Sequence, residues 1–404
     1  MKRIIYFLLV TALLLSSCAN PGVPGESESL STERDVYQGG ETESGISENS
    51  EFVSETLPTE TFPSGGEVIL SAEDILASMS VEEKVGQLFL ARNPKTAEDG
   101  VAMIEDLHVG GVIFFGRDFK NSTPDNFKEL IKLYNETAKL PVLTAVDEEG
   151  GTVCRASLYK PFRDEKFEAP AIIYAEGGLE AVLNDAAEKS EFLLSLGLNF
   201  NLAPVADIST DPDDFIFERS LGLGRDETSE FVSSVVTVMC EKGILSSLKH
   251  FPGYGNNEDT HTGIAYDKRS LDEIKNNDLV PFEAGIEAGA PVVMVSHNIV
   301  ECIDSERPAS LSEKAVSLLR DEMGFEGVIM TDDLSMDAIG DFTSGADAAV
   351  LAVIAGVDLL CSSDVEVQYE AVLSAVNDGR ISEERLNDSV LRILRMKLRY
   401  GIIK

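Results

Sequence analysis

The chain has 404 residues, 43% of them hydrophobic and 26% charged, with a formal net charge of −38. That length and apolar content suffice for one large core or two modest ones. So acidic a surface repels phosphate backbones and argues against a nucleic-acid partner.

Taken in order, the chain opens on Lys2 and Arg3, then an apolar run from Ile4 to Leu15 that is too short to span a bilayer as a mature helix. It ends in Leu15-Ser16-Ser17-Cys18, which resembles a bacterial lipoprotein signal. The expectation is cleavage before Cys18, lipid on that cysteine, and a protein held at the membrane outside the cytoplasm; an ordinary signal peptide that contains a cysteine is the alternative. Residues 18–70 are rich in Ser, Glu, Thr, Gly and Pro, and Arg34 is their only basic residue. Such a segment buries too little to offset ordering and reads as a solvated tether.

From Ser71 onward strand-length apolar runs alternate with helical patterns. The runs are Gln87–Ala91, Gly111–Phe115, Pro141–Val146, Asn199–Val205, Ile244–Leu248, Pro291–Val295, Gly327–Met330 and Val357–Leu360. Helical spacing covers Asn126–Ala138, Leu179–Leu196, Glu230–Lys242, Leu271–Ala288, Leu311–Met323 and Ser344–Ala355. Gly197, Gly243, Gly289, Gly324 and Gly356 stand where helices should end before strands. Alternation of this kind implies a parallel sheet, and eight near-continuously apolar strands suit a closed (β/α)8 TIM-type barrel over residues 71–404. A doubly wound open sheet is the runner-up, weakened because no glycine-rich dinucleotide fingerprint follows the first strand.

Polar residues gather just past the strands: Asp147, Asp207, Lys249 with His250, His297 and Asp332. Barrel enzymes place their chemistry at that end, and several charges on one rim are hard to explain as structural pairs, since each costs desolvation. The chain has four histidines, and two fall in Lys249-His250-Phe251-Pro252-Gly253-Tyr254-Gly255 and the Asp259-Thr260-His261 that follows. The other two, His108 and His297, read as a structural residue at the far end of the barrel and a pocket-wall residue. Cys154, Cys240, Cys302 and Cys361 are far apart and lack the spacing of a metal clip. No cluster has zinc or calcium ligand spacing, and no serine sits in a Gly-x-Ser-x-Gly elbow. A carboxylate nucleophile, an imidazole proton donor and charged groups able to grip a polar ligand remain. Together they match glycosyl transfer to water through a covalent intermediate.

The stretch from Ser80-Val81-Glu82-Glu83 to the C-terminal helix resembles glycoside hydrolase family 3, and most of all its single-domain β-N-acetylglucosaminidases acting on peptidoglycan fragments. The resemblance rests on Lys249-His250-Phe251-Pro252-Gly253-x-Gly255 with Asp259-Thr260-His261, and on Thr331-Asp332-Asp333-Leu334-Ser335-Met336. It implies Asp332 as nucleophile, with Asp333 the alternative, and His261 as acid/base oriented by Asp259. It implies further that Lys249, His250, Asp147, Arg155 and Arg219 grip the sugar. Arg155 pairing with Glu148 or Glu149, and His250 as a core histidine, are the structural alternatives. Tyr254 departs from the family, which often has His there, and Thr260 replaces a frequent Ser; the first puts rate or leaving-group preference in question. No metal or organic cofactor is implied, and the expected partners are a carbohydrate and, through the anchor, a membrane, with the protein a monomer. A β-glucosidase or a phosphorylase of the same family, and a non-catalytic sugar-binding lipoprotein, are the rival readings.

Overall fold

The structure, a computed structural model, describes residues 71–255 and 263–404. The expected signal, Cys18, the tether, Asp259 and His261 lie outside the described residues.

Eight parallel strands form the centre. They are β1 (Phe89–Arg92), β2 (Gly111–Phe114), β3 (Leu143–Val146), β4 (Phe200–Asn201), β5 (Leu245–Phe251), β6 (Val292–Val295), β7 (Val328–Thr331) and β8 (Leu360–Ser362). Each pairs with the next from β1 to β7, and β8 pairs back onto β1 with Phe89 opposite Leu360. The ring closes between β7 and β8 through the single parallel bridge Met330–Leu359. The expected barrel is therefore present, with each of the eight apolar runs contributing one strand.

The interior is packed, not hollow. Leu90, Leu143, Phe200, Leu245, Val292, Val328 and Leu359 meet there in one buried cluster. Ile393 and Met396 of the helix Glu383–Arg399 join it, so that helix plugs the end where the strands begin. Lys397 beside them is wholly buried and donates to Gln87 Oε1 at 2.9 Å and to the Pro141 carbonyl at 3.0 Å. A second, larger cluster fills the layer between strands and surrounding helices. Helices stop where the sequence says they should: Gly243 and Gly356 hold φ of 79° and 110°, which ends a helix at little cost only for glycine.

Three elements differ from expectation for identifiable reasons. The fourth strand pairs regularly for two residues: the Ala203 N–H turns back to the Asn201 carbonyl at 2.8 Å, Pro204 has no N–H to donate, and pairing resumes as the bridge Val205–Lys249. The helix expected over Leu271–Ala288 widens into a π turn at Ile274–Asp278. Pro281 lies just beyond it, and its ring displaces the carbonyl four residues back. The helix expected over Leu311–Met323 starts at Glu313, because Ser312 caps it through a 3.3 Å bond from Ala315 N–H. A short parallel ribbon of Tyr266–Asp267 with Ile299–Val300 was not foreseen. The four described cysteines are free thiols. Among the described residues no helix is long and apolar enough to cross a membrane.

At the base, Asp358 precedes β8 and is fully buried. It receives Arg320 at 2.7 Å, Arg385 at 3.0 Å and Arg392 at 3.3 Å, with Ser389 Oγ at 2.7 Å and Ile329 N–H at 3.1 Å. Asp358→Asn should destabilise the protein by about 3–5 kcal/mol, since three partly buried guanidiniums lose their common counter-charge. Urea unfolding at neutral pH measures it; a loss below about 1 kcal/mol would show that the arginines are solvated well enough without the acid.

Candidate active site

A cavity of about 450 Å³ opens at the end of the barrel where the strands finish. Asp147, Arg155, Arg219, Lys249, His250 and Asp332, all picked out from the sequence, line it together. His297 does not. It is fully buried, with Nδ1 2.7 Å from Ser310 Oγ and Nε2 3.0 Å from the Asp333 carbonyl. It braces the loop after β7 from behind, which corrects its placement on the pocket wall.

Strand β5 delivers two adjacent side chains to one cavity. Regular alternation would send Lys249 and His250 to opposite faces. The register with β6 shifts between Leu248 and Phe251, and such a bulge re-aims the chain. Lys249 Nζ then lies 2.8 Å from Asp147 Oδ1 and 2.5 Å from Glu149 Oε1, all but removed from water. His250 N–H and Nδ1 both meet Asp207 Oδ2, at 3.0 and 2.7 Å, and Tyr254 N–H donates to Asp207 Oδ1 at 2.7 Å. Arg219 Nη2 stands 3.2 Å from His250 Nε2. A guanidinium can only donate, so Nε2 is the acceptor and the imidazole carries its proton on Nδ1, facing Asp207. The ring of Tyr254, at the family's frequent His position, is buried edge-to-face against His250, with centroids 5.2 Å apart.

Glu149 is the hub that sequence reasoning missed. Its carboxylate takes Arg219 in a two-pronged contact, Nε to Oε2 at 3.0 Å and Nη2 to Oε1 at 2.8 Å, in addition to Lys249. Burial alone would raise its pKa, but the Arg219 and Lys249 charges outweigh burial and hold it well below the usual carboxylate range. Lys249 shows the reverse balance: burial pulls its pKa down, Asp147 and Glu149 push harder, and the net shift is upward. Both cations therefore stay charged inside a largely dry cluster. Alternation carried past the end of β3 contains the signal: residues 147 and 149 share one face and 148 takes the other. Glu148 indeed turns away and accepts Arg155 N–H at 3.0 Å, Ala156 N–H at 2.8 Å and Ser157 Oγ at 2.5 Å. Gly150, at φ 108°, makes the turn possible, since a Cβ there would fall 2.2 Å from the Glu168 carbonyl oxygen. The Arg155 guanidinium approaches Asp147, at 4.0 Å, not the neighbouring glutamates.

The two aspartates after β7 have different surroundings. Asp333 is bound into the scaffold: it accepts Ser335 N–H at 2.9 Å and Ser363 N–H at 3.1 Å, with the Ser363 hydroxyl also on its carboxylate. It ties the loop after β7 to the end of β8. Asp332 accepts the Asp333 N–H at 2.8 Å through Oδ1 and faces the cavity, partly exposed. Arg269 reaches Asp267 at 2.6 Å, Asp278 at 2.7 Å and the Gly253 carbonyl at 3.2 Å, which ties the turn after β5 to Asp267 and Asp278.

The chain as a whole is similar to known proteins in sequence and in fold. The model of the Glycosyl hydrolase family 3 N terminal domain matches residues 80–396. Beta-hexosaminidase LpqI of Mycobacterium tuberculosis is 28% identical over 410 residues, 98% of this chain and 97% of that protein. A solved LpqI structure superposes with a TM-score of 0.75, at 28% identity, over 81% of this chain and 96% of that one. Beta-hexosaminidase A of Pseudoalteromonas piscicida is 29% identical over 73% of this chain, which spans only 54% of its length. The structure of a glycoside hydrolase family 3 beta-N-acetylglucosaminidase from Paenibacillus sp. matches with a TM-score of 0.74 and 33% identity, over 80% of this chain and 63% of that one.

Proposed function

The chain belongs to glycosyl hydrolase family 3, and from that membership we propose that it is a retaining exo-β-N-acetylglucosaminidase acting on peptidoglycan fragments. The observation that carries this reading is the division of labour between two adjacent carboxylates. Asp333 is consumed by the scaffold, whereas Asp332 faces a cavity lined by Lys249, Arg219, Arg155, Asp147 and His250. The beta-hexosaminidase and beta-N-acetylglucosaminidase relatives support the N-acetylglucosaminide specificity.

In this reading an Asp332 oxygen attacks the anomeric carbon while the leaving oxygen takes a proton from His261, whose other nitrogen is held by Asp259. Water then attacks the same carbon, gives its proton to His261, and releases Asp332. Two inversions amount to retention. Arg219 presses on His250 Nε2, so the face offered to sugar hydroxyls is Asp147, Arg155 and the remaining protons of Lys249 and Arg219. We assign the protein, on the same footing, to the outer side of the cell membrane, anchored through Cys18 and acting as a monomer.

The test is turnover of 4-nitrophenyl N-acetyl-β-glucosaminide and 4-nitrophenyl β-glucoside by the full-length protein. A preference for the first of about 100-fold or more is expected. Preference for the glucoside would make it a family 3 β-glucosidase. Sugar 1-phosphate released only with added phosphate would make it a phosphorylase. Binding of N-acetylglucosamine without turnover would make it a sugar-binding lipoprotein.

A further inference from the structure

Lys189 is a buried cation that does not line the active-site cavity. It lies on the helix Pro170–Ser195, one turn after Asp185, whose carboxylate it meets at 2.9 Å. A second proton of its ammonium goes to the main-chain carbonyl of Glu149, also at 2.9 Å. The Phe167 ring lies beside it, with the centroid 5.2 Å from Nζ. A methionine would fill much of the same space without the desolvation that a buried ammonium costs. What the ammonium adds is a charged donor on one particular carbonyl.

That carbonyl stands where the chain leaves β3. Glu149 is followed by two residues with left-handed backbone, Gly150 at φ 108° and Gly151 at φ 62°. Glycines have little preference of their own, so the bearing of residue 149 is set by whatever holds the turn. The Glu149 N–H donates to the Val153 carbonyl at 3.0 Å, and the Gly151 N–H donates to the Phe167 carbonyl at 2.9 Å. The Glu149 carbonyl receives Lys189, its only donor among the described residues. The same residue is thus held at two points, its carbonyl by Lys189 and its carboxylate by Arg219 and Lys249. Asp185, Lys189, Glu149 and Arg219 also share the walls of one small chamber of about 40 Å³, which Val182 and Phe231 help to close.

We propose that Lys189, with Asp185 as its counter-charge, is a positioning residue for the cations that grip the sugar. It fixes the main chain of Glu149 and, through the Glu149 carboxylate, the directions of Arg219 and Lys249. The proposal rests on the N-acetylglucosaminidase reading and adds to it a pair that touches no substrate. Every link from the helix to the cavity is a charge-assisted contact, the strong kind of hydrogen bond. A small rotation of the glycine turn would carry the Glu149 carboxylate with it, and misplacing a gripping group by about 1 Å can cost about 10²-fold in rate.

The experiment removes the pair as a pair. Asp185→Asn combined with Lys189→Met leaves neither charge buried without its partner, so the fold should persist and the melting temperature should stay within a few degrees. With the full-length protein and 4-nitrophenyl N-acetyl-β-glucosaminide, kcat/KM should fall about 10-fold, within the range of a hydrogen bond to a charged group. In a Glu149→Gln background the same double replacement should cost less than about 2-fold, because the link it acts through is already broken. Lys189→Arg keeps a charged donor, and the chamber beside it has room for the larger head, so it should retain about a third or more of the parental kcat/KM. Equal losses in the two backgrounds would overturn the proposal, since the pair would then act by some route other than Glu149. A double replacement that leaves kcat/KM within about 2-fold of the parent overturns it too. So does one that fails to fold, which would make the pair purely structural. In all three cases turnover of the aryl substrate by the parent leaves the glucosaminidase reading standing. A parent inert on that substrate brings down the functional reading, and this proposal with it.

Discussion

Asp332→Asn should lower kcat/KM on 4-nitrophenyl N-acetyl-β-glucosaminide by about 10⁴-fold or more, because no neighbouring group takes over bond formation at the anomeric carbon. The fold should hardly notice. An asparagine carbonyl can still accept the Asp333 N–H that Asp332 Oδ1 accepts at 2.8 Å, and the melting temperature should stay within a few degrees. Asp333→Asn should behave in the opposite sense. It weakens the contacts from Ser335 and Ser363 that bind the loop after β7 to β8, so thermal stability should fall first and activity less. Steady-state kinetics and thermal unfolding of the two variants side by side decide the matter. A catastrophic rate loss confined to Asp333→Asn would reverse the assignment.

The second large effect belongs to a residue that touches no sugar in this account. Glu149→Gln keeps the shape of the hub and removes its charge, which leaves Arg219 without its two-pronged partner and Lys249 with Asp147 alone. Breaking a buried pair from one side costs about 3–5 kcal/mol. Arg219 and Lys249 both line the cavity, so their displacement should lower kcat/KM by roughly 10²-fold or more. A pH signature accompanies the loss. The folded pKa of Glu149 lies below its ordinary value of 4.5, so the stability it contributes is complete above that value and disappears as pH falls through the depressed one. The parent should therefore lose stability on acidification below about pH 4.5, and Glu149→Gln should lose less over the same interval. Urea midpoints from pH 7 to pH 3 for the two proteins measure this. Parallel curves would mean that Arg219 and Lys249 do not depend on Glu149.

Much of this was legible in the chain for plain reasons. Strands buried on both sides read as unbroken apolar runs, and glycine at helix ends marks the boundaries between repeats. Polar residues just past several of the runs point to the rim, as Asp147, Lys249, His250 and Asp332 do. Reading stopped where function depends on which neighbour a charge meets. Glu149 and Arg92 look alike in sequence as charged residues at strand ends. One proves to be enclosed by two cations, and the other has no carboxylate within 4.0 Å among the described residues. His297 obeys the strand-end rule yet faces backward, because Ser310 and the Asp333 carbonyl occupy its two nitrogens. The π turn before Pro281 and the helix start at Ser312 are encoded by single residues that a periodicity measure averages away. Asp259 and His261 lie outside the described residues, so their roles rest on resemblance.

The ring of strands also sets a timetable for biosynthesis. Phe89 finds its hydrogen-bonded neighbour at Leu360, and the plug residues Ile393 and Met396 come later still. At roughly 5–20 residues per second, the ribosome needs tens of seconds to travel from the first strand to the eighth. Throughout that interval the outer side of β1 is a bare edge, able to pair with any extended chain nearby. Late closure of this kind leaves the ring open until β8 has been made. It also exposes an unpaired strand edge to aggregation for as long as the ring stays open.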